Sequence, residues 1–98
     1  MTLPRYRLRV PDPVADSIRN LHPQIKRKLR ESTAVLAANP GAGNALKDEL
    51  AGLWSFRIGK FKLIYRIADS RTLDLVAFGP RERIYEETYR LIARSRLP

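Results

Sequence analysis

Between Leu50 and Arg66 the chain reads LAGLWSFRIGKFKLIYR, and no other stretch restricts the possible fold as tightly. Gly59-Lys60 supplies a two-residue connection with Gly first, the order that a type II′ hairpin turn requires. Such a turn sets the register: Ile58 opposite Phe61, Arg57 opposite Lys62, Phe56 opposite Leu63 and Trp54 opposite Tyr65. Because side chains alternate between faces, Phe56, Ile58, Phe61 and Leu63 line one side, and Arg57 and Lys62 stand together on the other. Like charges directly opposite on a ladder cost about 0.2–1 kcal/mol. The pair reads either as two solvated cations or as the seat of an anion that offsets their repulsion. The remaining cations of the chain favour the seat.

Lys and Arg number 19 against 10 Asp and Glu, a formal charge of +9. That excess points to a polyanion, with nucleic acid first and a membrane surface or an acidic protein as alternatives. Cysteine is absent, which excludes disulfides, thiolate chemistry and cysteine-ligated zinc. The single histidine, His22, precedes Pro23 at an expected inter-helix turn and reads as a surface residue. No metal and no cofactor are therefore expected. Residues 1–98 are expected to form a single domain. The opening MTLPRYRLRV lacks the apolar run of a signal peptide, and no segment approaches the ~20 apolar residues of a membrane span. The expected compartment is the cytoplasm.

Arg5 to Val10 alternates, with Arg5, Arg7 and Arg9 on one side and Tyr6, Leu8 and Val10 on the other, the pattern of a half-buried strand. Asp12 is placed as an N-cap with Pro13 at the first helical position, opening a helix to about Leu21. Pro23 opens a second helix with Ile25, Leu29, Ser32 and Leu36 as its inner stripe and Lys26, Arg27, Lys28 and Arg30 outside. Asn39-Pro40-Gly41 ends it. Residues 42–51 read as a loop, and the hairpin follows. A last, nearly all-apolar strand spans Leu73 to Phe78, and Gly79-Pro80 breaks it. Glu82 to Arg94 reads as a helix with Ile84, Thr88, Leu91 and Ile92 inward.

The order β-α-α-β-β-β-α predicts an α+β fold. The helical hairpin packs on one face of a four-stranded, mainly antiparallel sheet, and a short C-terminal helix follows. Tyr6, Leu8, Val10, Phe56, Ile58, Phe61 and Leu63 then face the helices. Arg5, Arg7, Arg9, Arg57 and Lys62 are expected to converge on the open face.

The segments YRLRV, HPQIKRKLRESTAVLAANP, LKDELAGLWSFRIGKFKLIYRI and VAFGPRERIYEE resemble the RelE/ParE superfamily, the small basic toxins of type II toxin–antitoxin pairs. The third is the most specific, and the likeness runs from about Tyr6 to Leu91. The resemblance implies the same fold and, in the RelE-like branch, a ribosome-dependent endoribonuclease that cuts mRNA. Carried over by motif, it implies Arg57, Lys62, Arg81 and Tyr85 as catalytic residues. RNA contacts are assigned to Arg5, Arg7, Arg9, Lys60 and Arg83, although Arg83 also stands at salt-bridge spacing from Glu87. Trp54 is expected to pack on Tyr65.

The residue types suit the chemistry. RNA is cleaved when its own 2′-OH attacks the adjacent phosphate, without metal or cofactor. The protein supplies orientation, a base, an acid and positive charge. Family members often carry His or Lys where this chain has Pro80, and some carry Lys where it has Ser55. With His22 remote, the base falls to Tyr85 or to Lys62 in its uncharged form. The resemblance also implies a cognate antitoxin with an acidic or amphipathic segment that covers the basic face or displaces the last helix. The rival reading is a toxin of the same fold that inhibits DNA gyrase by binding. A third is a degenerate domain that only binds its partner.

Overall fold

The computed structural model describes residues 5–95; the first four residues of the stretch read for a leader lie outside the described residues. The elements are β1 (Arg7–Arg9), α1 (Asp12–Arg19), α2 (Pro23–Ala38), β2 (Asn44–Ala45), β3 (Trp54–Ile58), β4 (Phe61–Ile67), β5 (Thr72–Pro80) and α3 (Ile84–Ser95). They build one five-stranded mixed sheet in the order β1-β5-β4-β3-β2. The expected four-stranded, mainly antiparallel sheet is corrected in two places. Asn44–Ala45, read as loop, pairs with β3 as an edge strand, and β1 runs parallel to β5.

The β3–β4 hairpin has the expected register, with Arg57 opposite Lys62 and Trp54 opposite Tyr65. Gly59 has φ +62, and Lys60 does not share the left-handed region, as a II′ turn requires. Trp54 stacks on Tyr65 at 6.3 Å between ring centroids.

Two apolar layers sandwich the sheet. On one face, Val14 of α1 and Leu29 and Leu36 of α2 pack against Ile58, Leu63, Tyr65, Leu73, Leu75 and Phe78. On the other, Ile84 of α3 packs against Leu53, Ile64 and Ala77. A bulge makes this possible. Ile64 pairs with Ala77 but Tyr65 pairs with Leu75, so Val76 is the extra residue and the alternation of β5 changes phase there. Leu73 and Leu75 can then share a face with Phe78, while Ala77 joins α3. The face expected to lie open is therefore partly roofed, with Ile84 and Thr88 fully buried beneath α3.

Several local expectations shift. β1 is shorter than the alternating run, because the Tyr6 N–H is already donated to the Ala37 carbonyl at 2.9 Å. Pro11, not Asp12, is the N-cap of α1, and no side chain caps it. His22 caps α2, its Nδ1 accepting the Gln24 N–H at 3.1 Å. β5 continues through Gly79 and Pro80, opposite Lys62 and Phe61. β1 ends opposite Asp74, so the later part of β5 is an edge, where proline is tolerated. Leu91 is 43% exposed: the inner stripe of α3 is Ile84, Thr88 and Ile92, and Leu91 falls to its side.

Candidate active site

Where α3 begins, its roof meets the hairpin cations. By alternation from Ile64, Lys62 points to the α3 face, and it is half-buried. Its Nζ donates to the Tyr85 hydroxyl at 2.5 Å and lies 4.7 Å from the ring centroid. The Tyr85 hydroxyl in turn reaches Ser55 Oγ at 3.3 Å. Ile84, beside Tyr85, and Thr88, one turn on, are both buried, so the first turn of α3 is pinned and Tyr85 is aimed at the sheet.

Burial pushes the Tyr85 phenol up, but the hydrogen bonds from Lys62 and Ser55 and the charge of the Lys62 ammonium outweigh it. The net pKa lies below the ordinary tyrosine value. These contacts favour the ionised phenol, toward which the Ser55 hydroxyl can turn its proton.

Ser55 and Lys62 line a cleft of about 410 Å³ together with Asn44, Arg57, Arg81 and Glu82, and Tyr85 stands behind them, joined to both by hydrogen bonds. Arg57 is exposed and lines the cleft, and its Nε donates to the Gly59 carbonyl at 3.2 Å. The Arg81 N–H donates to the Lys60 carbonyl at 2.9 Å, which ties the segment after β5 to the hairpin turn. None of Arg57, Lys62 and Arg81 forms a salt bridge with a described residue. A cleft with three cations outside any salt bridge, a single carboxylate in Glu82, and a phenol biased toward ionisation bonded to its wall suits a phosphodiester.

The far wall of the cleft was not legible in the sequence. Asn44 lies opposite Ser55 because β2 pairs with β3. A buried tyrosine holds that edge in place: Tyr65 donates its hydroxyl proton to the Pro40 carbonyl at 2.6 Å and accepts the Gly43 N–H at 3.2 Å. Burial raises the Tyr65 pKa, with the Gly43 hydrogen bond opposing, so it stays a donor. Gly43 is required sterically, since a Cβ there would lie 2.5 Å from the Tyr65 hydroxyl and 2.6 Å from the Ser55 carbonyl. The run Asn39-Pro40-Gly41 signals a helix end but not this contact. Glu82, which precedes α3, also lines the cleft.

The expected convergence of cations on one face is corrected. Arg9 is paired with Asp74, to which it also donates from Nη2 at 2.9 Å, and Arg66 donates to the same carboxylate at 2.7 Å. Asp74 is held below the usual carboxylate range, first by the Arg9 and Arg66 hydrogen bonds, against burial, and then by both charges. Arg5 and Arg7 line a separate concavity. Lys60 and Arg83 are exposed and outside the cleft lining. Arg83 makes no salt bridge with Glu87; the pair that forms on α3 is Glu86 with Arg90, at 2.6 Å.

Among the described residues, no group of three or more His, Cys, Asp or Glu could hold a metal ion, and no helix is long and apolar enough to cross a membrane. Residues 8–85 match the family described as the ParE toxin of the type II toxin–antitoxin system, parDE. No curated protein matches the chain. Among solved structures, it is similar to the toxin–antitoxin complex RelBE2 of Mycobacterium tuberculosis, with 29% identity, TM-score 0.71, and 82% of this chain and 95% of that one covered. The archaeal RelE–RelB complex of Pyrococcus horikoshii shares 23% identity over 81% and 98% of the two chains, with TM-score 0.64. A mutant of the E. coli toxin RelE in the free state shares 17% identity over 95% and 99%, with TM-score 0.75.

Proposed function

The chain belongs to the ParE-toxin family of type II toxin–antitoxin systems, within the RelE/ParE superfamily, and we propose that it is a ribosome-dependent endoribonuclease cutting mRNA. The observation that carries this reading is the Lys62–Tyr85–Ser55 hydrogen-bonded chain, whose Lys62 and Ser55 line one cleft with Arg57 and Arg81. An inhibitor that acts by binding alone needs no phenol biased toward ionisation.

In the proposed reaction Tyr85, as phenolate, takes the proton of the nucleotide's 2′-OH. The O2′–P bond forms, the P–O5′ bond breaks, and water protonates the departing 5′-oxygen. The products are a 2′,3′-cyclic phosphate and a 5′-hydroxyl. Lys62 holds the phenolate before attack and donates to the phenol afterwards. Arg57 and Arg81 donate to the non-bridging oxygens as charge builds in the phosphorane-like transition state. The ribosome contributes orientation by presenting the strand in an extended form. The whole chain acts as one toxin domain in the cytoplasm, where ribosomes are.

The partner is a neutralising antitoxin, as in the RelE–RelB complexes that this fold matches. A groove of about 600 Å³ with Val10, Pro13, Val14, Leu53, Val76 and Leu91 along it, and with Arg9 and Arg66 sharing the one carboxylate of Asp74 in its lining, suits an amphipathic segment with an acidic end.

One observation favours a second reading: the matching family model is that of ParE, which supports binding and inhibition of DNA gyrase. Cell-free translation of a defined mRNA, with RNA ends mapped with and without ribosomes, separates the two. Ribosome-dependent cuts that vanish in Tyr85→Phe are the expected result. Intact mRNA together with blocked gyrase supercoiling would replace the nuclease reading with the second.

A further inference from the structure

We propose that Arg5, Arg7 and Arg71 form a second phosphate-binding cleft, at the opposite end of the sheet from Tyr85, that grips an RNA backbone. This cleft, about 500 Å³, is lined by Arg5, Arg7, Asp69, Ser70, Arg71 and Thr72. It is built where β1 joins β5: Arg7 lies opposite Thr72, and the Arg7 N–H donates to the Arg71 carbonyl at 2.7 Å. That junction sets guanidinium groups from two distant segments around one space.

The one carboxylate present is drawn into the turn. Asp69 accepts the Arg71 N–H at 2.7 Å, and none of the three arginines forms a salt bridge with a described residue. Arg9, the neighbour whose charge is compensated by Asp74, lies outside the lining. Three guanidinium groups and the hydroxyl of Ser70 match the oxygens of a phosphate, while the Thr72 hydroxyl is bonded to Asp69 and helps hold that carboxylate in the turn.

The occupant is RNA and not the protein partner, because the lining holds no apolar side chain to anchor a protein. Lys62 lies at the first cleft and Ile67, opposite Leu73, lies beside the second, so the clefts stand roughly 17 Å apart along β4 at about 3.4 Å per residue. A grip at that distance orients the strand without touching the scissile bond. The phosphates come from the mRNA itself or from the folded RNA of the ribosome. The inference rests on RNA being the polyanion that this protein engages.

The test uses the full chain carrying Tyr85→Phe, so that RNA is bound and not cut, with Arg5→Gln, Arg7→Gln and Arg71→Gln added. A charge-matched triple, Arg27→Gln, Lys28→Gln and Arg30→Gln on the exposed side of α2, is the control. Binding to a single-stranded oligonucleotide and to ribosomes is measured across a salt series. The cleft triple is expected to lose about tenfold or more in affinity and to lower the salt slope on the oligonucleotide by about 2. A loss on the oligonucleotide assigns the phosphates to the message, and a loss confined to ribosomes assigns them to folded RNA. Equal losses in both triples overturn the proposal, as does unchanged RNA affinity, including the case in which only antitoxin binding weakens. Cleavage is followed in parallel in the Tyr85 background: normal binding and cutting by the cleft triple refutes this site alone, whereas absence of cutting in every form refutes the nuclease reading.

Discussion

Replacing Lys62 with Met removes the ammonium from the Tyr85 hydroxyl while keeping an unbranched side chain in the half-buried slot. The lost contact is a hydrogen bond from a charged donor at 2.5 Å. Such bonds contribute about 1.5–3 kcal/mol. If that stabilisation belongs to the phenolate and its transition state, kcat/KM falls by about 10–150-fold, at 1.36 kcal/mol per decade. The pH profile gives the more specific signature. Activity of the wild type should rise with pH along a limb set by Tyr85 ionisation. Without Lys62 burial is less opposed, so the limb should move to higher pH. Single-turnover cleavage of a ribosome-bound mRNA, followed by primer extension between pH 6 and 9, reads both effects (the range is roughly that over which general-base catalysis is observable). Because the two residues act as one unit, Lys62→Met combined with Tyr85→Phe should be no slower than Tyr85→Phe alone. Multiplicative losses in the double variant, or a limb that stays in place in Lys62→Met, would refute the relay.

Arg57→Ala and Arg81→Ala should each cut cleavage by about 10²-fold or more, as for loss of one transition-state donor. Both are exposed, so melting temperatures should stay close to wild type, and a collapse of the fold would show the site misplaced. Gly43→Ala should destabilise by about 1–3 kcal/mol, because its Cβ would overlap backbone as well as the Tyr65 hydroxyl. Thermal melts should show a drop of about 4–8 °C per kcal/mol, and activity should fall as Asn44 and Ser55 shift. Asp74→Asn should cost about 1 kcal/mol near neutral pH, since both arginines it holds are more than half exposed. The folded-state pKa of Asp74 is depressed, so its stabilisation is present above the ordinary value of 3.8 and is lost as pH falls through the folded value. Melting curves of wild type and Asp74→Asn should therefore converge in acid, and a constant gap would contradict the pairing.

Local rules carried the hairpin: the Gly-first turn fixes register, and register sets Arg57 against Lys62. They also carried the two packed helices and the inward Ile84 and Thr88. What stayed hidden depends on contacts between distant segments. The bulge at Val76 changes which residues of β5 share a face, and no residue type announces it. That phase change gives α3 a surface to roof, so the face expected to be open narrows to a cleft beside the hairpin. Pairing of Asn44–Ala45 with β3 depends on Tyr65 reaching back to residues 40 and 43, more than twenty positions away. The alternation of Arg5, Arg7 and Arg9 was legible, but their destination was not. Asp74 claims Arg9, and the β1–β5 junction turns Arg5 and Arg7 toward Arg71. Tyr85 was placed near the site by motif, yet its direct contact with Lys62 required the tertiary fold.

The chemistry at the cut tests the central claim most directly. An mRNA with one 2′-deoxynucleotide at a mapped cleavage position is placed on ribosomes with the toxin, and the end groups of the products are determined. Attack by the 2′-OH predicts a 2′,3′-cyclic phosphate and a 5′-hydroxyl at unmodified positions, and no cut at the deoxy position. Products bearing 3′-hydroxyl and 5′-phosphate ends, or undiminished cutting through the deoxy position, would contradict it.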